Sequence, residues 1–160
     1  MAVAIIGSAL GACAYSFRSG ALPPDVRTVT VFPIENEARV VIPTLTQTFA
    51  EALRQKFISQ SPLGLAKEKG DLMLYGRITD FKVAPIAIQG TQQAAQNRLS
   101  ITIHIRCVSS RHPELSWEQS FMNFSDFPAG QPLSTVQDAL IVDICERIAQ
   151  DVVNKTLSFW

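Results

Sequence analysis

Charged side chains are scarce in this sequence, and neither sign dominates. Only 18% of the 160 residues are charged, with 14 basic residues balanced by 14 acidic ones, whereas soluble domains carry roughly 25%. Proteins that bind nucleic acid concentrate positive charge on one face, so the zero net charge argues against nucleic acid as a partner. A sparsely charged surface instead suits a domain with a large protein interface.

Motifs of catalysis and cofactor binding are also missing. The sequence contains no P-loop, no glycine-rich dinucleotide turn and no Gly-x-Ser-x-Gly elbow. Its two histidines, His104 and His112, are isolated, and a zinc site needs further Cys, His or carboxylate ligands at suitable spacing. We therefore expect no cofactor, no metal and no enzymatic activity.

The first 13 residues, MAVAIIGSALGAC, carry no charge. A segment of about 13 residues is too short to span a membrane, which needs about 20, and is typical of a signal-peptide apolar region. Leu10, Gly11, Ala12 and Cys13 match a lipobox, in which the Cys thiol accepts a diacylglyceryl group before cleavage. We predict a signal peptide at residues 1–12 and a lipidated Cys13. The alternative is an apolar strand or helix with an incidental Cys.

A folded domain is expected over residues 27–160, preceded by a tether rich in Gly, Ser and Pro over 13–26. β-Branched residues alternate in residues 28–32, which predicts a first strand. Apolar residues at helical spacing then predict a first helix, opened by a capping box of Thr44 and Gln47.

Three further strands are predicted in succession. Residues 71–83 form the second, with Gly76 as the expected site of a bulge, and residues 115–124 form the fourth. The third strand, between them, has the most regular pattern, with an apolar residue at every second position: Leu99, Ile101, Ile103, Ile105 and Cys107. Such alternation buries one face of a sheet and leaves the other polar.

A second amphipathic helix closes the chain, and we expect it to begin at a capping box of Ser134 and Gln137. The resulting order is β-α-β-β-β-α. It predicts an α+β fold, a two-layer sandwich with a four-stranded mixed sheet and both helices on one face. Cys107 and Cys145 are expected on buried faces, and whether they pair is left open.

Several segments together resemble the LptE family. They are CAYSFRSGALPPDVRTVTV from Cys13, PTLTQTFAEALRQKF in the first helix, GDLMLYGRITDF in the second strand, NRLSITIHIR in the third, and the terminal NKTLSFW. These segments cover most of the chain from Cys13 to Trp160. The resemblance is collective, because none of them is a catalytic signature.

The resemblance implies an outer-membrane lipoprotein that enters the lumen of an LptD-type β-barrel and assists barrel assembly and lipopolysaccharide transport. Membrane attachment would be through the lipid anchor at Cys13, on the periplasmic side. The lumen of a large barrel is polar, which suits a neutral domain with a polar sheet face. The rival interpretation is a periplasm-facing lipoprotein that escorts another outer-membrane complex, as a secretin pilot does, or that binds lipid.

Four polar side chains are candidates for contacts with lipopolysaccharide or the barrel: Arg77, Arg98, His104 and Arg106. All four alternate away from the apolar side of their strands. Arginine suits phosphate because its planar fork donates two hydrogen bonds to one group. The alternative is that these side chains are solvated or pair with acidic groups of the barrel wall.

We expect Cys13→Ser to abolish acylation and membrane retention, because stable anchoring requires more than one acyl chain and a processed lipoprotein Cys carries two or three. The measurement is incorporation of labelled fatty acid together with membrane fractionation in cells that lack a barrel partner. Membrane retention of a variant that takes up no label would refute the lipobox interpretation.

Overall fold

The computed structural model describes residues 22–86 and 95–158. Six strands and two helices make up this part of the chain. The strands are β1 (Thr28–Val31), β2 (Glu35–Asn36), β3 (Gly64–Leu65), β4 (Leu72–Ile86), β5 (Gln96–Ser109) and β6 (Trp117–Pro128). The helices are α1 (Pro43–Gln60) and α2 (Leu133–Leu157), with a short 3-10 helix at Pro113–Leu115.

The strands form one mixed sheet in the order β3-β1-β4-β5-β6, with β2 paired to β4 beyond the end of β1. β1 pairs in parallel with β3 and β4, whereas β4, β5 and β6 are antiparallel to one another. The α+β class and the mixed sheet are confirmed, but the expected number of four strands is wrong. β2 and β3 are two residues long each, too short to show an alternating pattern.

Both helices pack on the inner face of the sheet. The alternating apolar residues of β5 are all on this face and 1% exposed or less. They meet the apolar faces of both helices in one continuous core: Leu45, Phe49, Leu53 and Phe57 of α1 with Ile141, Ile144, Cys145, Ile148, Val152 and Val153 of α2. Each fully buried aliphatic or aromatic side chain stabilises the fold by roughly 1.5–3 kcal/mol. The predicted apolar faces of the third strand and both helices are therefore confirmed.

The bulge in the long strand β4 lies at Thr79, so the prediction at Gly76 is wrong. The register with β5 shifts between Ile78 and Asp80, and the extra residue lets Phe81 return to the inner face opposite Ile101. Gly76 has a different role, because a Cβ there would stand 2.6 Å from Cδ1 of Ile34. Glycine at this position leaves room for the side chain of Ile34, which belongs to the segment between β1 and β2 and packs against β4.

Neither predicted capping box forms. Helix α1 begins one residue before Thr44, at Pro43, and helix α2 begins at Leu133 after Pro132. No side chain caps either N-terminus. At α1 proline explains the shift, because the fixed φ of Pro43 is suited to a helix start and the N–H that it lacks would be unpaired there in any case.

The two cysteines of the described chain, Cys107 and Cys145, are both free and buried. Burial raises the pKa of each thiol to about 12. Thiolates are therefore strongly disfavoured at both positions, and these residues pack as small apolar groups. Trp117, at the start of β6, pairs with Cys107 of β5 and makes an edge-to-face contact with Phe121, with ring centroids 5.8 Å apart.

Candidate functional site

The outer face of the sheet carries the four predicted candidates. Outward positions of β4, β5 and β6 meet in the paired registers, so side chains far apart in sequence stand side by side. Arg77 lies directly opposite His104, which lies opposite Ser120 on β6. Arg106, two residues farther along β5, stands between Tyr75 and Glu118.

Arg77, His104 and Arg106 thus form one cluster, which we call the polar cleft. Pro33 and Glu35 complete it, and the depression has a volume of about 310 Å³. Tyr75 forms one wall, held by stacking on Phe32 with ring centroids 4.6 Å apart. The rigid sheet beneath therefore presents two guanidinium groups, an imidazole and carboxylates to a common opening.

Charges in the polar cleft are largely matched inside the protein. Nε2 of His104 lies 2.7 Å from Oε1 of Glu118, and Nδ1 lies 3.0 Å from the Ser120 hydroxyl. The hydrogen bond from His104 is the main cause that lowers the pKa of Glu118, aided by the positive charges of Arg106 and Arg77. Arg77 also pairs with Glu37 at 3.4 Å. The face is polar but not strongly basic.

Arg106 differs from Arg77 and Arg98, the other two candidate arginines, because it has no acidic partner among the described residues. It is exposed, and within residues 22–86 and 95–158 no carboxylate oxygen lies within 4.0 Å of its guanidinium. The nearby Glu118 is already bonded to His104. Arg106 therefore has the donors of its planar fork available for a ligand or a partner.

Arg98 does not belong to the polar cleft. It is eight residues from Arg106 on the same strand, about 27 Å at the rise of an extended chain. Its fork is occupied, because Nε and one terminal nitrogen donate to the two oxygens of Asp126 at 2.7 and 2.9 Å. This pairing lowers the pKa of Asp126, and the guanidinium also lies 3.6 Å from the centre of the Phe124 ring. Arg98 and Arg106 are therefore too far apart to bind a single phosphate together.

A second polar cluster fixes the beginning of the domain. His112, in the turn between β5 and β6, contacts Asp25 at 2.9 Å through Nε2 and Glu114 at 2.9 Å through Nδ1. Its pKa is raised chiefly by the hydrogen bond to Asp25, whose own pKa is lowered by the same contact. The backbone N–H groups of Arg27 and Thr28 each donate to the Asp71 carboxylate at 3.0 Å.

Cys13 lies outside the described residues. Among the described residues, Asp25 is the first along the chain whose side chain bonds to a residue far away in the sequence. Its partner, His112, is 87 positions later. Sequence reasoning could not find this contact, since only the tertiary fold brings the two together. Glu118 and Asp126 were also missed. They occupy outward positions of β6, but the register that sets them beside His104 and Arg98 is invisible in the sequence.

The described part of the chain shows neither a metal-binding group nor a membrane-spanning helix. Residues 22–86 and 95–158 contain no group of three or more His, Cys, Asp or Glu side chains that could hold a metal ion. Over the same residues neither helix is both long and apolar enough to cross a membrane.

Comparison with known proteins gives both a family and a fold. The model of the LptE family, described as lipopolysaccharide-assembly, matches residues 26–156. Among curated proteins, none matches the chain.

Solved structures share the fold at low sequence identity. A minor lipoprotein from Acinetobacter baumannii has a TM-score of 0.53 at 8% identity, over 81% of this chain and 91% of that one. A Xanthomonas campestris protein has 0.57 at 11%, over 86% and 90%. An uncharacterized lipoprotein B from Nitrosomonas europaea has 0.50 at 13%, over 98% and 91%. At such identities the likeness establishes the fold alone.

The contact between His112 and Asp25 should make the attachment of the domain's first residues depend on pH. The raised pKa of His112 means that its contribution is fully present below the ordinary value of 6.5 and is lost as pH rises through the folded value. The lowered pKa values of Asp25 and Glu114 make theirs present above the ordinary 3.8 and 4.5, and lost as pH falls.

We therefore expect His112→Gln to lower the melting temperature most between about pH 4.5 and 6.5, and hardly at all at about pH 9. Thermal unfolding of both proteins across this range is the measurement. Asp25→Asn is the matched variant and should show the same pH profile. A His112→Gln effect of equal size at every pH would rule out the charged contact.

Proposed function

Because this chain belongs to the LptE lipopolysaccharide-assembly family, we propose that it is an outer-membrane lipoprotein that associates with an LptD-type β-barrel. In this role it serves as plug and assembly partner of the barrel and assists transport and insertion of lipopolysaccharide. The observation that carries the proposal is the family match over residues 26–156, which includes both helices almost entirely and all six strands. The family is one of assembly factors and is not a known enzyme family.

The outer sheet face supports a role inside a polar lumen. Its charges are mostly paired within the chain, as in the contacts of Arg77 with Glu37 and of Arg98 with Asp126. A surface of internally matched charges can meet a polar wall without leaving many ions unpaired. Large outer-membrane barrels have polar interiors that a protein can plug. The polarity of the outer sheet face is therefore compatible with such a lumen.

The proposed anchor is Cys13, acylated after removal of residues 1–12. Asp25 follows Cys13 by 12 positions, a separation of at most about 43 Å in a fully extended chain. The contacts of Asp25 with His112 and of Asp71 with Arg27 then fix where this tether joins the fold. A tether of that length allows the domain to reach a barrel lumen while the acyl chains stay in the inner leaflet.

Purification of the full chain from native membranes in mild detergent tests the proposal. We expect an LptD-type barrel at a one-to-one ratio, and misassembled barrel in cells depleted of the chain, because a plug and its barrel fold as one unit. Identification of the bound proteins by mass spectrometry is the measurement. Recovery of a secretin would favour the rival role of a pilot, and recovery of no barrel would refute the proposal.

We infer that Arg106 is the main contact of this domain with lipopolysaccharide. Lipid A carries phosphates beside apolar chains, and Arg106 has an unoccupied fork in a cleft that also holds Tyr75. The fork of Arg98 is already used by Asp126. Arg98 is therefore a control for Arg106, because the guanidinium of Arg106 is available to a phosphate and that of Arg98 is not.

We expect Arg106→Gln to weaken lipopolysaccharide binding by roughly 10- to 100-fold, since a hydrogen bond to a charged group contributes about 1.5–3 kcal/mol, while Arg98→Gln leaves it nearly unchanged. Binding should weaken as salt is raised in the parent protein and less so in Arg106→Gln. The measurement is a titration with purified lipopolysaccharide, and thermal unfolding confirms that both variants stay folded. Equal binding by all three proteins would remove the phosphate role and leave the cleft as a protein interface.

A further inference from the structure

Strand β6 forms one edge of the sheet. In the described part of the chain no other strand pairs with its outer side. It is 12 residues long and follows β5 in one continuous register from Trp117 to Pro128. An edge of this length presents a row of unpaired backbone N–H and C=O groups, which can template the addition of another strand.

A side chain marks which backbone groups face outward. The N–H of Phe124 donates to Oδ1 of its neighbour Asn123 at 2.9 Å, an acceptor within β6 itself. This N–H therefore points away from β5. Because backbone groups alternate between the two sides of a strand, those of Glu118, Ser120, Met122 and Asp126 face the same open side. In the described structure Oδ1 of Asn123 accepts this hydrogen bond, which a carbonyl of an added strand would otherwise accept.

The other long open edge of the sheet is protected, which makes β6 stand out. Past its pairing with β2, the outer side of β4 is also free of partners among the described residues. That stretch has a bulge at Thr79, a lysine at Lys82 and a proline at Pro85. Bulges, lysines and prolines are the usual devices against unwanted strand addition. β6 has no register shift, no lysine, and no proline before its last residue.

Apolar side chains stand along the same open strand. Met122 is 64% exposed and Phe124 is 38% exposed, although both are large and apolar. They are adjacent outward positions at the centre of β6, with Glu118 and Asp126 toward its two ends. A strand added here would cover both with its own alternating side chains, because neighbours across a strand pair stand about 4.5–5.5 Å apart.

A second copy of this chain is a poor occupant of the edge. In both antiparallel registers that pair nearly all of β6 with itself, Glu118 of one copy lies opposite or diagonal to Asp126 of the other. Like charges placed in this way destabilise a strand pair. The charges favour a segment of different sequence, with apolar residues at its centre and no acidic residues near its ends.

We propose that β6 is a docking edge for an extended segment of another protein, which adds as a strand and packs apolar side chains on Met122 and Phe124. This inference rests on the function proposed above, on which the segment belongs to the LptD-type barrel protein. Backbone hydrogen bonds supply affinity in such strand addition, and side-chain pockets on alternate residues supply specificity.

Two substitutions at one position separate backbone pairing from side-chain contact. Met122→Pro removes an outward N–H and leaves the pairing with β5 in place, whereas Met122→Thr removes the same side chain and keeps the N–H. Recovery of the barrel with the full lipidated chain should fall roughly tenfold for Met122→Pro, as expected for one lost hydrogen bond and a blocked approach. Met122→Thr should recover less barrel than the parent protein, because an apolar contact is lost, but clearly more than Met122→Pro.

The outcomes distinguish this proposal from the one on which it rests. If the parent chain recovers no barrel, the proposed function fails. If the parent and Met122→Pro recover it equally, or if both variants lose it equally, only backbone docking at β6 is overturned. Thermal unfolding checks that Met122→Pro folds.

Hydrogen exchange of the parent protein decides the matter if that variant does not fold. The amides of Ser120 and Met122 should exchange quickly in the free chain and slowly in the barrel complex. Unchanged exchange in the complex would overturn the proposal. Protection that grows with the concentration of the free chain would also overturn it, in favour of a second copy at the edge.

Discussion

The antiparallel pairing of β4, β5 and β6 is the constraint on which the rest of the structure depends. Every inward position of β5 from Leu99 to Cys107 is buried, and the register therefore cannot slip by one residue without exposing the whole apolar set. The same register decides which polar residues share the outer face. Core and candidate site are two sides of one ladder, so a change in the pairing would destroy both.

Polar groups on the outer face are mostly satisfied within the chain. His104 is bonded to Glu118 and Ser120, and Arg98 to Asp126. Arg106 and the backbone edge of β6 are among the exceptions, and both lie where a partner could reach them. Most of the polar groups on this face are thus satisfied without a partner, and a small part of the face is left open to one.

Much of the fold could be predicted because alternation and helical spacing record burial directly. The apolar faces of β5, α1 and α2 were identified correctly for this reason. β2 and β3 could not be found, since two residues carry no period and their pairing depends on β1 and β4. The sequence predicts the bulge at Gly76, whereas it lies at Thr79. A glycine within a strand is equally suited to a bulge and to the close packing of another side chain, and only the position of Ile34 shows that Gly76 serves the second purpose.

The candidate site divides along the same line. The sequence by itself determined the family resemblance, the α+β class and the outward placement of Arg77, Arg98, His104 and Arg106, since these follow from local pattern. The lipobox at Cys13 stays a prediction from the same kind of pattern. Tertiary structure alone decided that Arg98 is occupied by Asp126 and stands apart from the polar cleft, that His112 holds Asp25, and that β6 is the open edge. Each of these features depends on which strands are neighbours in the sheet. The packing of the whole core determines the strand order, so no periodic pattern within a single segment can predict it.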